Sequence, residues 1–327
     1  MLVAIETAPV LQDIFLHDVP LPMRARFFPL GFPVELATNS EAVIAAARES
    51  WGMFREAYPE APVSIRIAVT EDPGGEMPQR PQFRSHQHMM TIVSDAHNHA
   101  ICDHNRNCAL AWVTSRVAGN APFLRLHFLE SAVMSLLVQA YLAPIHCGLV
   151  TRNGVGVALC GDSFAGKSTL SYACARSGWT FVADDGTFLS RNREGRYAAG
   201  NPYTLRLRED AKRLFPELEQ HRPRLRTNGK WSMEVPTSDL PISTASGCSI
   251  DHLVFLRRSA GVSASLKPMD PQEALQWLER TIVHGAAEAQ ASQRQAYRRL
   301  LDAGIWEMHY SDLDDAVELL NQLGAKS

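Results

Sequence analysis

Eight residues, Gly161-Asp-Ser-Phe-Ala-Gly166-Lys167-Ser168, constrain this chain more than any other stretch. They satisfy the pattern G-x-x-x-x-G-K-[ST], and they stand between the apolar run Val155-Gly-Val-Ala-Leu-Cys160 and a helix-compatible run from Thr169 to Ser177. A strand, a glycine-rich turn and a helix in that order aim successive backbone N–H groups and the helix N-terminus at one point. Glycine permits both the backbone angles and the close approach of an anion, so such a loop cradles phosphate. A chance match to the four specified positions somewhere in a chain of this length has a probability on the order of one in a hundred. The spacing therefore predicts a nucleotide-binding run of Gly161, Asp162, Ser163, Phe164, Ala165, Gly166, Lys167, Ser168 and Thr169. Lys167 would bring a point charge to the terminal phosphates of ATP, and the Ser168 hydroxyl is the expected inner ligand of Mg²⁺.

Asp184 and Asp185 follow the apolar run Trp179-Thr-Phe-Val-Ala183. A helix from Lys167 to Ser177 would rise about 16 Å, with Gly178 as its C-terminal cap, and the next strand would return about 17 Å. In a right-handed β-α-β unit this brings both carboxylates to the carboxyl edge of the sheet, beside the loop. There they suit Mg²⁺ ligation and proton abstraction from an acceptor hydroxyl; a plain turn after a strand would carry the same two residues. Asn153-Gly154 is a favoured two-residue hairpin turn that pairs Arg152 with Val155, and extending that register sets His146 opposite Gly161. A histidine there suits either orienting a carboxylate or a structural hydrogen bond.

The length of 327 residues predicts about two domains. Hydrophobic residues are 46% and charged residues 20% of the chain, and the formal net charge of -3 offers no basic field for nucleic acid. Six scattered cysteines with no C-x-x-C pair read as reduced and cytoplasmic. The first residues, with Glu6 and Asp13, lack the features of a secretory signal. The most apolar stretch, Phe128 to Val150, is broken by Glu130, Gln139, Pro144 and His146, which favours a buried helix and strand over a membrane span.

Residues 1–119 read as a small α+β domain, with a helix between Ser40 and Tyr58 and a strand Val63–Val69. Residues 120–327 read as an α/β domain. It begins with a helix from about Arg125 to Tyr141 and carries later helices at Arg208–Phe215, Pro271–Ile282, Ala289–Ala303 and Asp312–Leu323, with strands at His252–Leu256 and Ile305–Tyr310.

His146-Cys-Gly-Leu-Val, the run Asn153 to Thr169, and Gly178-Trp-Thr-Phe-Val-Ala-Asp-Asp185 together resemble the catalytic core of the HPr kinase/phosphorylase family. The short step from the loop to the aspartate pair carries the resemblance, which covers roughly His146 to Asp185. It implies a phosphate-loop fold like that of phosphoenolpyruvate carboxykinase and transfer of the γ-phosphoryl group of ATP to a hydroxyl. Serine in a protein, a peptide or a small molecule is the foremost acceptor. It further implies that Asp185 is the base, with Asp184 beside the metal, Lys167 on the phosphates and His146 at the site. Thr169 stands where HPr-directed enzymes usually carry glutamate, and their Arg-Gly-x-Gly run has no counterpart, so HPr itself is not the implied acceptor. A nucleotide-binding switch, an ATPase and a non-catalytic ATP-binding module remain alternatives, and a homo-oligomer stays open.

Basic residues recur after the core in Arg206, Arg208, Arg224, Arg226 and Lys230; an arginine-type clamp on transferred phosphate would draw on them, with Arg206 and Lys230 the first to test, but for any single one a solvated surface charge is the better reading. The cluster His86, His88, His97, His99, Cys102, His104 and Cys108 lies in strands and polar turns, and hairpin chemistry accounts for it better than a metal does.

Overall fold

A computed structural model describes residues 19–192, 195–225, 231–282 and 285–325. The protein is mixed α/β with several sheets, and it divides into two compact units, Met1–Leu136 and Leu137–Ser327.

Among its described residues the first unit is built on seven strands: β1 (Met23–Phe27), β2 (Val34–Thr38), β3 (Val63–Thr70), β4 (Gln82–His86), β5 (Met89–Val93), β6 (His99–Asp103) and β7 (Cys108–Thr114). Their order is β1-β2-β3-β7-β6-β5-β4. β3 sits between two parallel partners, β2 and β7, and its alternating burial follows from one face being covered. The predicted hairpins are present: Asp95 Oδ1 accepts from the backbone N–H groups of His97 and Asn98, and Asp103 Oδ1 from those of Asn105 and Arg106. The helix expected between Ser40 and Tyr58 is shorter. It runs as α1 (Glu41–Trp51) and stops at Gly52, and Ser40 stands at its N-cap without a side-chain capping bond.

Four helical pieces follow: α2 (Ser115–Gly119), α3 (Ala121–Leu124), a π-helical turn over Arg125–Glu130, and α4 (Ser131–Ala140). Their first part packs on α1, where Arg125 Nε donates to Ser50 Oγ at 2.8 Å and Ser50 Oγ donates to Glu130 Oε1 at 2.7 Å. These bonds draw the residues after Gly119 into the first unit, so its boundary falls at Leu136 rather than at the expected 119/120. Ala121–Ala140 is long and apolar enough, by length and composition, to cross a membrane. Leu124, Phe128, Leu129, Val133 and Leu136 within it are fully enclosed by protein, which accounts for its apolarity as that of a core helix.

In the second unit the strands β8 (Leu142–Ile145), β9 (Cys147–Arg152) and β10 (Val155–Cys160) lead into α5 (Lys167–Arg176). They are followed by β11 (Thr180–Ala183), β12 (Thr187–Ser190), β13 (Tyr197–Gly200), β14 (Thr204–Leu207), β15 (Arg224–Leu225), β16 (Trp231–Pro236), β17 (Ser243–Thr244), β18 (Gly247–Ser249), β19 (His252–Arg258) and β20 (Ser265–Pro268). Helices α6 (Pro271–Glu279) and α7 (Ala287–Arg299), strand β21 (Gly304–Tyr310) and helix α8 (Leu313–Leu323) complete it. The main sheet has the order β17-β11-β9-β10-β19-β21-β20, beside a four-stranded sheet β18-β13-β12-β8 and a three-stranded one, β14-β16-β15. β10, β19 and β21 are parallel, and β11 runs the same way across the antiparallel β9.

Alternate residues of β10 feed two cores on opposite faces of this sheet. Val157 and Leu159 pack with Leu170, Trp179 and Leu320, whereas Ala158 and Cys160 pack with Ala274, Tyr297 and Leu300. The helix expected at Arg208–Phe215 is instead a 3₁₀ turn over Glu209–Arg213; its first turn carries Glu209 and Asp210, and the N–H of Leu214 closes on the Ala211 carbonyl three residues back. Arg226 and Lys230 lie outside the described residues.

Candidate functional site

The hairpin β9–β10 has the register that Asn153-Gly154 demands. Both turn residues have positive φ, 54° and 87°, Arg152 pairs with Val155, and Cys147 pairs with Cys160. His146 therefore precedes β9 at the level where the glycine-rich loop leaves β10. It stands where the chain passes from the four-stranded sheet, through β8, into the main sheet. Asp184, Asp185 and Gly186 make the reverse passage from β11 to β12, and Thr187 pairs with Ile145. The Thr187 hydroxyl ties the two crossings by donating to the Cys147 carbonyl at 3.0 Å.

Within the loop Gly161, Phe164 and Gly166 have φ of 153°, 74° and 95°. Gly166 is the N-cap of α5 and offers no side chain to the helix N-terminus, whose dipole and first N–H groups favour an anion. A Cβ at Gly166 would come within 2.5 Å of the Tyr310 hydroxyl, which donates to the Ala165 carbonyl at 2.9 Å. Both conformation and packing thus call for glycine. A cleft of about 440 Å³ opens beside this turn, with Gly166, Thr169, Arg176, Arg258 and Tyr310 in its wall.

Lys167 is nearly buried and folds back over the loop, with Nζ donating to the carbonyls of Gly161 at 2.9 Å and Asp162 at 3.2 Å. The same Nζ is 3.7 Å from Asp185 Oδ1, and His146 Nδ1 is 3.3 Å from that oxygen. One carboxylate oxygen, on a side chain half open to solvent, therefore faces both the lysine and the histidine.

Asp184 differs from its neighbour. It is buried, and its Oδ2 accepts the backbone N–H of Arg206 at 2.7 Å. Burial pushes its carboxyl up to about 6; the Arg206 charge and N–H pull the other way, and the Asp185 charge adds to the rise. Ser168 Oγ reaches the backbone carbonyl of Asp184 at 3.4 Å. α5 lies close enough to β9 for this contact because residue 148 is glycine: a Cβ there would come within 2.2 Å of Ser171 Oγ and 3.3 Å of the Asp184 carbonyl.

The oxygen donors gathered here, the Ser168 hydroxyl and the two carboxylates, suit a hard divalent cation such as Mg²⁺. Among the described residues no group of three or more His, Cys, Asp or Glu could hold a metal by itself.

Two contacts at the loop were not legible in the sequence. Arg208 holds its guanidinium 4.2 Å from the centre of the Phe164 ring. Tyr310 supports the loop from 145 positions away. Arg206, expected in a phosphate clamp, instead pairs through Nε with Glu234 Oε1 at 3.1 Å.

No family model matches the sequence, and no curated protein matches it. Among solved structures the chain is similar to the Hpr(Ser) kinase/phosphatase from Coxiella burnetii, at 14% identity over 55% of this chain and 96% of that one, with a TM-score of 0.28. A likeness at that level says nothing of substrate or reaction.

Proposed function

We propose that the chain is a phosphotransferase that uses ATP and Mg²⁺ to phosphorylate a hydroxyl, foremost that of serine in a protein, a peptide or a small molecule. The observation that carries this reading is the meeting of Lys167, His146 and Asp185 at the mouth of the loop, with the lysine Nζ and the histidine Nδ1 both within 4 Å of one carboxylate oxygen. In this reading Gly161 to Thr169 form a phosphate loop of the HPr kinase type. Backbone N–H groups and Lys167 hold the phosphates, and the cleft beside Gly166 and Thr169 gives room to the nucleoside.

Ser168 and Asp184 would hold Mg²⁺, which when bound neutralises charge on the β- and γ-phosphate oxygens. Asp185 is open to solvent on one side, as a base that must meet an incoming acceptor needs to be, and it takes the hydroxyl proton. His146 fixes the direction of that carboxylate. A buried Asp184 cannot reach an acceptor in the same way, which separates the duties of the pair.

The test is incubation with γ-labelled ATP and Mg²⁺, with and without serine-containing peptides, free serine and cell extract. Label should pass to an acceptor in the wild type, while Asp185→Asn keeps nucleotide affinity and loses transfer by at least about 100-fold. Release of free phosphate alone, at the same rate with every acceptor, would overturn transfer. Normal transfer by Asp185→Asn would overturn the base assignment.

A further inference from the structure

Phe164 is a large aromatic side chain that the fold does not use for packing. It is 75% exposed at the tip of the loop, and its φ of 74° is a conformation that a bulky residue adopts only under constraint. The Arg208 guanidinium lies over it, 4.2 Å from the ring centre.

Arg208 comes from the end of β14, and its position is set by a short chain of contacts. The Arg206 N–H is bonded to Asp184 Oδ2, so the backbone passes beside the buried carboxylate. Arg208 is extended, with φ -79° and ψ 162°, so its side chain leaves the same face two residues on, about 6.8 Å further along. The guanidinium thus stands at the loop tip, on a strand end that passes the buried carboxylate of Asp184 two residues earlier.

Charge points the same way. Asp162, Asp184 and Asp185 lie at this edge; Lys167 is the cation seated inside the loop, and Arg280 reaches Asp162 at 4.0 Å from outside it. A terminal phosphoryl adds further negative charge and calls for another cation from the open side. A guanidinium stacked on an aromatic face keeps its planar fork free at the edge, so it loses little freedom when it meets an oxyanion.

Resting on the nucleotide reading above, we infer that Arg208 is the residue that recognises the γ-phosphoryl group and that Phe164 is a positioning residue that holds it ready. The clamp expected of Arg206 is thereby assigned to its neighbour two positions on. Arg206 has its backbone on Asp184 and its guanidinium on Glu234.

The experiment compares equilibrium binding of the β,γ-imido analogue of ATP with that of ADP, both with Mg²⁺, by titration calorimetry. Arg208→Ala should weaken the triphosphate about ten-fold and leave ADP within about two-fold, because a charge-assisted contact to the third phosphate is removed and nothing else. Arg208→Lys should recover only part, since an ammonium neither stacks nor forks. Phe164→Ala should lower triphosphate affinity about three-fold with ADP unchanged, and Phe164→Tyr should restore it. Equal losses for both nucleotides in Arg208→Ala, or no loss for either, would overturn the clamp while leaving nucleotide binding intact. If the wild type binds neither nucleotide, the nucleotide reading falls and takes the clamp with it.

Discussion

Replacing Asp184 with asparagine should make the ligand-free protein more stable at neutral pH. The carboxyl is buried, and desolvation pushes its pKa up to about 6 from the ordinary 3.8. Below about pH 4 it is protonated in both folded and unfolded chains, so it contributes no pH dependence. Between about pH 4 and 6 the folded chain keeps a proton that the unfolded chain has released, and stability falls as pH rises. Above about pH 7 the full cost of ionising a desolvated carboxylate is present. A rise of about two units is worth about 3 kcal/mol at 1.36 kcal/mol per unit.

Asparagine is neutral at every pH and can still accept the Arg206 N–H through its amide oxygen. The Asp184→Asn gain should therefore be near zero at about pH 4 and approach about 3 kcal/mol at pH 7.5. For a unit of this size that corresponds to a melting shift of about 6–12 °C. Thermal and urea unfolding at four pH values between 4 and 8, without nucleotide or divalent cation, measures it. A variant equally destabilised at pH 4.5 and pH 7.5 would refute the reasoning, because the burial cost would then not be electrostatic. Mg²⁺ with nucleotide should narrow the gap, since the wild type alone would keep the carboxylate for the ion.

Three further outcomes follow from the geometry. Lys167→Ala should weaken nucleotide binding by at least about ten-fold, read by calorimetry, because Nζ is the nearly buried cation inside the loop. Gly148→Ala should cost about 1–3 kcal/mol in urea unfolding, since the new methyl group meets Ser171 Oγ and the Asp184 carbonyl in a close-packed interior. Tyr310→Phe should cost about 1 kcal/mol through loss of the hydroxyl bond to the Ala165 carbonyl, with nucleotide affinity falling alongside.

The readable parts of this protein were those set by neighbours in the chain. Asn153-Gly154 specified a two-residue turn, and once Arg152 faced Val155 the register ran unbroken to Cys147 and Cys160. The loop between Cys160 and Lys167 was legible because its glycines are demanded by local backbone angles. Helix and strand lengths then carried the chain back to Asp184 and Asp185 at the loop. The region from Thr187 to Ser249 resisted, because its strands are two to six residues long and periodicity over so few positions does not tell strand from turn.

Tertiary structure alone decided how two adjacent aspartates differ. Packing buries Asp184 and gives it the Arg206 N–H, while Asp185 stays half exposed between Lys167 and His146. It also placed Arg208 on Phe164 and Tyr310 under Ala165. The sequence determined which chemical groups reach the carboxyl edge of the sheet, through local geometry. Their desolvation, and partners such as the Arg206 N–H and the Tyr310 hydroxyl, depended on chain segments 22 and 145 positions away, whose approach no local pattern records.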